Sequence, residues 1–88
     1  MEIKEMVKTV GLNIRLARVA KRWTQKKLSQ DCTLTEANIS LIENGLHDNV
    51  SLFSLVKIIN SLGNIEITDL FSPMVMGNKV SSNETVKS

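Results

Sequence analysis

The side chains with the most chemical content lie between Thr24 and Gly45, TQKKLSQDCTLTEANISLIENG, and they suit recognition better than reaction. Asn38 carries an amide that can bond an adenine edge through both its arms. Glu36 can accept from a cytosine amino group, and Ala37 can touch a thymine methyl. No Lys or Arg stands in this stretch beyond Lys27, so the usual reader of guanine is missing from its second half. Glu36 has a second reading, as an acid that stabilises the N-terminus of a helix. Reactive chemistry finds little to work with. His47 is the only histidine and Cys32 the only cysteine, with no paired nucleophile and no metal-ligand cluster. The residues thus offer no catalytic set, no metal site and no cofactor site, and an enzyme is the weakest functional class.

Helices must position those residues. Ile3, Val7, Val10, Ile14 and Ala17 recur at four- and three-residue steps and predict one face of a first helix over residues 2–21. Lys21 and Arg22 suit its C-terminus, and Trp23 is expected to plug the core. Thr24 is a plausible cap for a second helix from Gln25 to about Asp31, with Leu28 inward and Lys27 where a capping-box Glu would stand. Cys32-Thr33-Leu34 reads as a turn. Thr35 then caps a third helix with Ile39 and Ile42 on its buried side, stopped at Asn44-Gly45, where glycine is free to take positive φ. Ser51 caps a fourth helix holding Leu52, Leu55, Val56, Ile59 and Leu62, which Gly63 stops. Ile67 to Phe71 predicts a short fifth helix before Pro73. Two short helices joined by a tight turn, the second with a small polar outer face, have the layout of a helix-turn-helix that places one helix in a DNA groove.

Size and composition agree with an all-α fold. Eighty-eight residues make one domain, and 42% hydrophobic with 3% aromatic residues means a core of Leu, Ile, Val and Met. One Pro and four Gly leave little room for the turns of an all-β protein. A lone cysteine fits a reducing cytosol. No apolar run approaches the ~20 residues that span a bilayer, and the charged N-terminus lacks a signal-peptide core, so a cytoplasmic protein without membrane contact is expected. The net charge of +2 hides an asymmetry: residues 1–30 carry eight basic side chains against Glu2 and Glu5, whereas residues 31–70 carry six acids against Lys57. A basic region suits the phosphates of DNA, although a solvated helix face gives the same imbalance. The helix-turn-helix domain is expected to occupy residues 1–71. The remainder, 72–88, is mostly Ser, Asn, Lys and Met without a sustained period, and reads as a flexible tail.

The ordered set Thr24-Gln25, Leu28, Leu34, Thr35, Ile39-Ser40, Ile42-Glu43-Asn44-Gly45, Leu55…Leu62-Gly63 and Leu70-Phe71, with Gly11, Ile14 and Arg18 before it, resembles the lambda-repressor/Cro-like (XRE) helix-turn-helix family over roughly residues 10–71. The resemblance implies a compact five-helix DNA-binding domain whose second and third helices form the motif. It implies that Gln25 is a phosphate clamp and Asn44 a second phosphate contact, although an exposed helix-start residue and a C-cap are the plainer readings. It implies a largely buried salt bridge between Arg18 and Glu43; direct contact of Arg18 with DNA is the alternative. Base reading falls to Glu36, Ala37, Asn38, Ser40 and Leu41, the last by hydrophobic contact or not at all. Thr35, Lys26, Lys27, Arg15 and Ser51 are further phosphate candidates. Thr33 and Arg22 stand where the family usually has Gly, which predicts slightly reshaped turns.

Leu12, Leu16 and Val19 form a second apolar stripe on the first helix, open to a partner subunit or to the Met74-Val75-Met76 tail. Ile65, Ile67, Leu70 and Phe71 of the fifth-helix region are the competing dimer surface. The sequence therefore points to a regulator that binds double-stranded DNA as a homodimer on a near-palindromic operator, with no small-molecule ligand. Prokaryotic or phage-encoded repressors, antitoxins and restriction–modification controllers all have this build. A protein-interaction module on the same fold is the competing class.

Overall fold

A computed structural model describes residues 2–47 and 49–72. Five helices run in order, α1 Ile3–Ala20, α2 Gln25–Cys32, α3 Glu36–Glu43, α4 Leu52–Leu62 and α5 Ile67–Leu70, with no strand among the described residues. The tail expected over 72–88 lies almost wholly outside the described residues. Among the latter, no helix is long and apolar enough to cross a membrane. α1 packs against α3, α4 and α5, and α2 against α3 and α4.

The helix starts follow local chemistry. The hydroxyls of Thr24, Thr35 and Ser51 accept from the backbone N–H of Lys27, Asn38 and Ser54, each at 3.0 Å, and so satisfy a donor that no helical turn can reach. The ends are more demanding. Arg22 and Thr33 both sit at φ 61°, in the left-handed region. After α1, Arg22 N–H donates to Val19 O at 2.8 Å and Trp23 N–H to Arg18 O at 3.2 Å, the pairing of a Schellman close. After α2, Leu34 N–H reaches back to Ser29 O at 3.0 Å. The turns are therefore not reshaped to spare the side chains. They keep the glycine-type backbone at ~1 kcal/mol or more each, because the carbonyls at the helix ends need those donors. Cys32 also proves to be the last residue of α2 rather than part of the turn. Its thiol is buried, which pushes its pKa above the ordinary 9.0.

The core joins Val10, Ile14 and Ala17 of α1 to Leu28, Cys32, Ile39, Ile42, Leu55, Ile58, Leu62 and Leu70, with Trp23, Leu34 and Ile65 packed at its edge. Three sequence expectations are corrected. Ile3 is 77% exposed, because the first turn of α1 projects past the helices beneath it. Leu52 and Val56 are exposed and Ile58 is fully buried, so the inward face of α4 is turned relative to the one expected. Leu70 is fully buried and fills the core, so it presents nothing to a second subunit.

Asn13 interrupts the apolar face of α1 for a reason that appears only in three dimensions. Its buried amide group donates toward three carbonyls after the start of α5, those of Asp69 at 3.1 Å, Leu70 at 2.8 Å and Ser72 at 2.8 Å. A four-residue helix cannot hold itself together in water, and this side chain ties its C-terminal carbonyls to α1. Asn13→Ala should lose ~1–3 kcal/mol in urea unfolding, the cost of stranding buried carbonyls, and should speed hydrogen exchange first around residues 69–72.

Candidate nucleic-acid interface

α3 is placed against the body by a backbone approach and an ion pair. At Gly11 of α1 an added Cβ would lie 2.1 Å from Ile42 O and 2.8 Å from Glu43 O. Only hydrogen in place of a side chain lets the two backbones come this close. Further along α1, Arg18 Nε donates to Glu43 Oε2 at 2.7 Å and Arg18 Nη2 to Oε1 at 3.0 Å, a two-pronged pair. The Glu43 side chain is only 1% exposed and that of Arg18 11%. Gln25 Nε2 also donates to Glu43 Oε1 at 3.1 Å, and Arg18 Nη1 to Trp23 O at 2.6 Å. A single buried carboxylate thus binds the end of α3 to the start of α2 and the end of α1. This fixes the angle at which α3 leaves the body.

The outer face of α3 is what this frame presents. Glu36, Ala37 and Leu41 are exposed, and Asn38 and Ser40 half-buried. The Asn38 backbone N–H is spent on the Thr35 hydroxyl, but its side-chain amide makes no hydrogen bond among the described residues. Thr35, having accepted that bond, still has its hydroxyl hydrogen to donate. Gln25 is half-buried, with one amide N–H on Glu43 and a second left over. Asn44 turns its amide group back along α3, to Ser40 O at 2.9 Å and Ser40 Oγ at 3.4 Å, which is the geometry of a C-cap. In the free chain its donors are not offered outward.

The remaining phosphate candidates divide. Arg15 and Lys26 are exposed. Lys27 leans over the Trp23 ring at 5.1 Å, beside Lys21, which lies 4.0 Å from the same centroid and is bonded to Leu62 O at 2.5 Å. These two lysines are partly committed, both to the aromatic ring and Lys21 also to the C-terminus of α4, where cations are favoured. Ser51 has both capacities in use, accepting from Ser54 N–H and donating to Ser54 Oγ, each at 3.0 Å. Of the dimer candidates, Leu12, Leu16, Val19, Ile67 and Phe71 are exposed, Ile65 is half-buried and Leu70 is internal.

Sequence reasoning gave no role to Asn13 and saw Gly11 only as part of a pattern. A polar residue on an apolar helix face between Val10 and Ala17 was the available signal for Asn13. Gly11, in mid-helix where glycine costs ~1 kcal/mol relative to alanine, carried its own.

A family model described as helix-turn-helix matches residues 14–70, the segment from the middle of α1 to the end of α5. Among solved structures, the restriction-modification controller protein C.AhdI from Aeromonas hydrophila is similar at 31% identity and a TM-score of 0.68, over 74% of this chain and 96% of that one. A hypothetical transcription factor, NHTF from Neisseria, is similar at 27% identity and a TM-score of 0.72, over 83% of this chain and 82% of its own. No match was found among curated protein sequences.

Proposed function

Since the chain belongs to the lambda-repressor/Cro-like (XRE) helix-turn-helix family of DNA-binding transcription regulators, we propose that it binds a near-palindromic operator as a homodimer and controls transcription from it, with α3 of each subunit in the major groove. The observation that carries this reading is the contrast between the two sides of α3. Its inner side is locked by Gly11 and by the Arg18–Glu43 pair, while its outer side offers Glu36, Ala37, Asn38 and Leu41 without internal commitments for the Asn38 amide. A rigid helix with free polar groups is what base recognition requires. Gln25, Thr35, Lys26 and Arg15 border that face and supply donors or charge for phosphates, which fix register rather than sequence. Asn44 joins them only by giving up its cap on α3.

Half-sites about one DNA turn, ~34 Å, apart require the two α3 helices at that spacing, and the exposed part of the α5 region, Ile67 and Phe71, and the stripe of Leu12, Leu16 and Val19 are the candidate pairing surfaces. The likeness to a restriction-modification controller over nearly all of that protein's length supports a small controller of gene expression of that kind.

Selection of preferred sites from random duplex DNA tests the reader assignment. Asn38→Ala and Glu36→Ala should each relax preference at one position per half-site by ~1–3 kcal/mol, whereas Gln25→Ala should weaken all sites alike. If the two kinds of variant behave identically, the assignment fails. If no site is selected while a protein partner is held tightly, the fold serves as an interaction module instead.

A further inference from the structure

Among the described residues, Gln25 differs from the other phosphate candidates in being tied to a buried charge. Its Nε2 donates to Glu43 Oε1 at 3.1 Å. A carboxylate only accepts, so the amide must turn its nitrogen toward Glu43 and its carbonyl oxygen away. The two hydrogens of a planar amide nitrogen diverge. With one on Glu43, the other points away from the buried carboxylate, and Gln25 is half-buried, so a phosphate oxygen can reach it. The main chain beneath is held as well. Arg18 Nη1 donates to Trp23 O at 2.6 Å, two residues before Gln25, and Thr24 Oγ accepts from Lys27 N–H at 3.0 Å.

We infer that Glu43 is a positioning residue for DNA binding, which holds the Gln25 amide so that its second N–H meets a DNA phosphate. The inference rests on the reading of Gln25 as a phosphate contact. Glu43 has a side chain 1% exposed on the inner side of α3 and cannot touch DNA itself. Its charge is met by Arg18 Nε at 2.7 Å and Nη2 at 3.0 Å, so it sets no bare anion beside the DNA backbone. An untethered glutamine samples several rotamers and turns its amide oxygen outward as readily as its nitrogen, and a phosphate repels that oxygen. Ordering such a side chain during association costs affinity, whereas here it is ordered beforehand. Glu43 is also the last residue of α3. One carboxylate therefore joins the contact that fixes register on the backbone to the helix that carries Glu36 and Asn38.

A double-mutant cycle tests the inference with the ion pair removed as a unit. Arg18→Met with Glu43→Leu strands neither charge and keeps the fold, which urea unfolding checks. In the parent, Gln25→Ala should weaken binding to a preferred site and to a shuffled duplex about tenfold, roughly the worth of one hydrogen bond to a charged group. In the Arg18→Met/Glu43→Leu background it should change binding by less than about twofold, because the amide is no longer aimed. Lys26→Ala removes an exposed charge unconnected with Glu43 and should cost the same factor in both backgrounds. By NMR relaxation, the Gln25 side-chain amide of the free parent should be as ordered as the backbone. In the double variant it should become as mobile as that of exposed Gln30. An equal loss on Gln25→Ala in both backgrounds would overturn the inference, and so would a mobile Gln25 amide in the free parent. If Lys26→Ala loses its effect together with Gln25→Ala, Glu43 only holds the fold and the inference fails. A parent that selects a site yet ignores Gln25→Ala refutes this inference alone, whereas a parent that selects no site refutes the regulator reading with it.

Discussion

Glu43→Ala should cost the fold ~3–5 kcal/mol in urea unfolding. The carboxylate accepts from Arg18 Nε, Arg18 Nη2 and Gln25 Nε2 and is almost wholly shielded from water. Truncating it strands the Arg18 guanidinium, 11% exposed, with only the Trp23 carbonyl as partner. Leaving a charge buried and unpaired is what costs so much, rather than the loss of the attraction itself. A small domain has ~5–15 kcal/mol to lose, so a domain at the low end of that range would be partly unfolded at ordinary temperature after this change. Replacing both partners with apolar residues of similar length, Arg18→Met with Glu43→Leu, should recover most of the loss, because it removes the stranded charge as well as the bond. A midpoint for Glu43→Ala within ~1 kcal/mol of the parent would place the pair among solvent-screened surface bridges and contradict its structural role.

Gly11→Ala should be destabilising although it improves helix propensity. At an exposed mid-helix site the change is worth ~1 kcal/mol of stabilisation. Here the new Cβ would meet the Ile42 carbonyl oxygen at 2.1 Å and the Glu43 carbonyl oxygen at 2.8 Å. Both are backbone atoms and cannot swing aside as a flexible side chain would, so α3 must back away from α1 by about an ångström. Overpacking of this kind costs ~1–3 kcal/mol, and the contact is close enough to place the result at the upper end. Because the element displaced is the one that bears Glu36 and Asn38, affinity for a preferred DNA site should fall further than the change in stability accounts for. Thermal unfolding and binding measured on the same preparation separate the two effects. A raised melting temperature with unchanged DNA binding would show that the helices are not in contact at Gly11.

Those two positions also mark how far the sequence could be read. The beginnings of α2, α3 and α4 were legible because Thr24, Thr35 and Ser51 cap them through bonds spanning three residues, and the ends at Gly45 and Gly63 because glycine takes the left-handed backbone, at φ 70° and 74°. Long-range features left fainter marks. Periodicity gave α1 an apolar face but not where the neighbouring helices stop, so Ile3 was counted inside when it stands clear of them. α5 is too short to have a period, and Leu70 was read as surface when the core closes over it. Asn13 bonds to residues 56 to 59 positions away, a pairing no local pattern encodes. The outward residues of α3 were legible as a set, since Ile39 and Ile42 fix which side is in. Which bases they meet depends on their conformations against DNA.

Binding to the DNA immediately upstream of the protein's own gene, titrated between about 50 and 200 mM salt against a shuffled duplex of the same composition, tests the central claim most directly. Sequence-specific recognition through α3 predicts one preferred site held at least ~10³-fold more tightly than the shuffled duplex, with affinity falling steeply as salt rises. Equal affinity for the two duplexes at every salt concentration would contradict it.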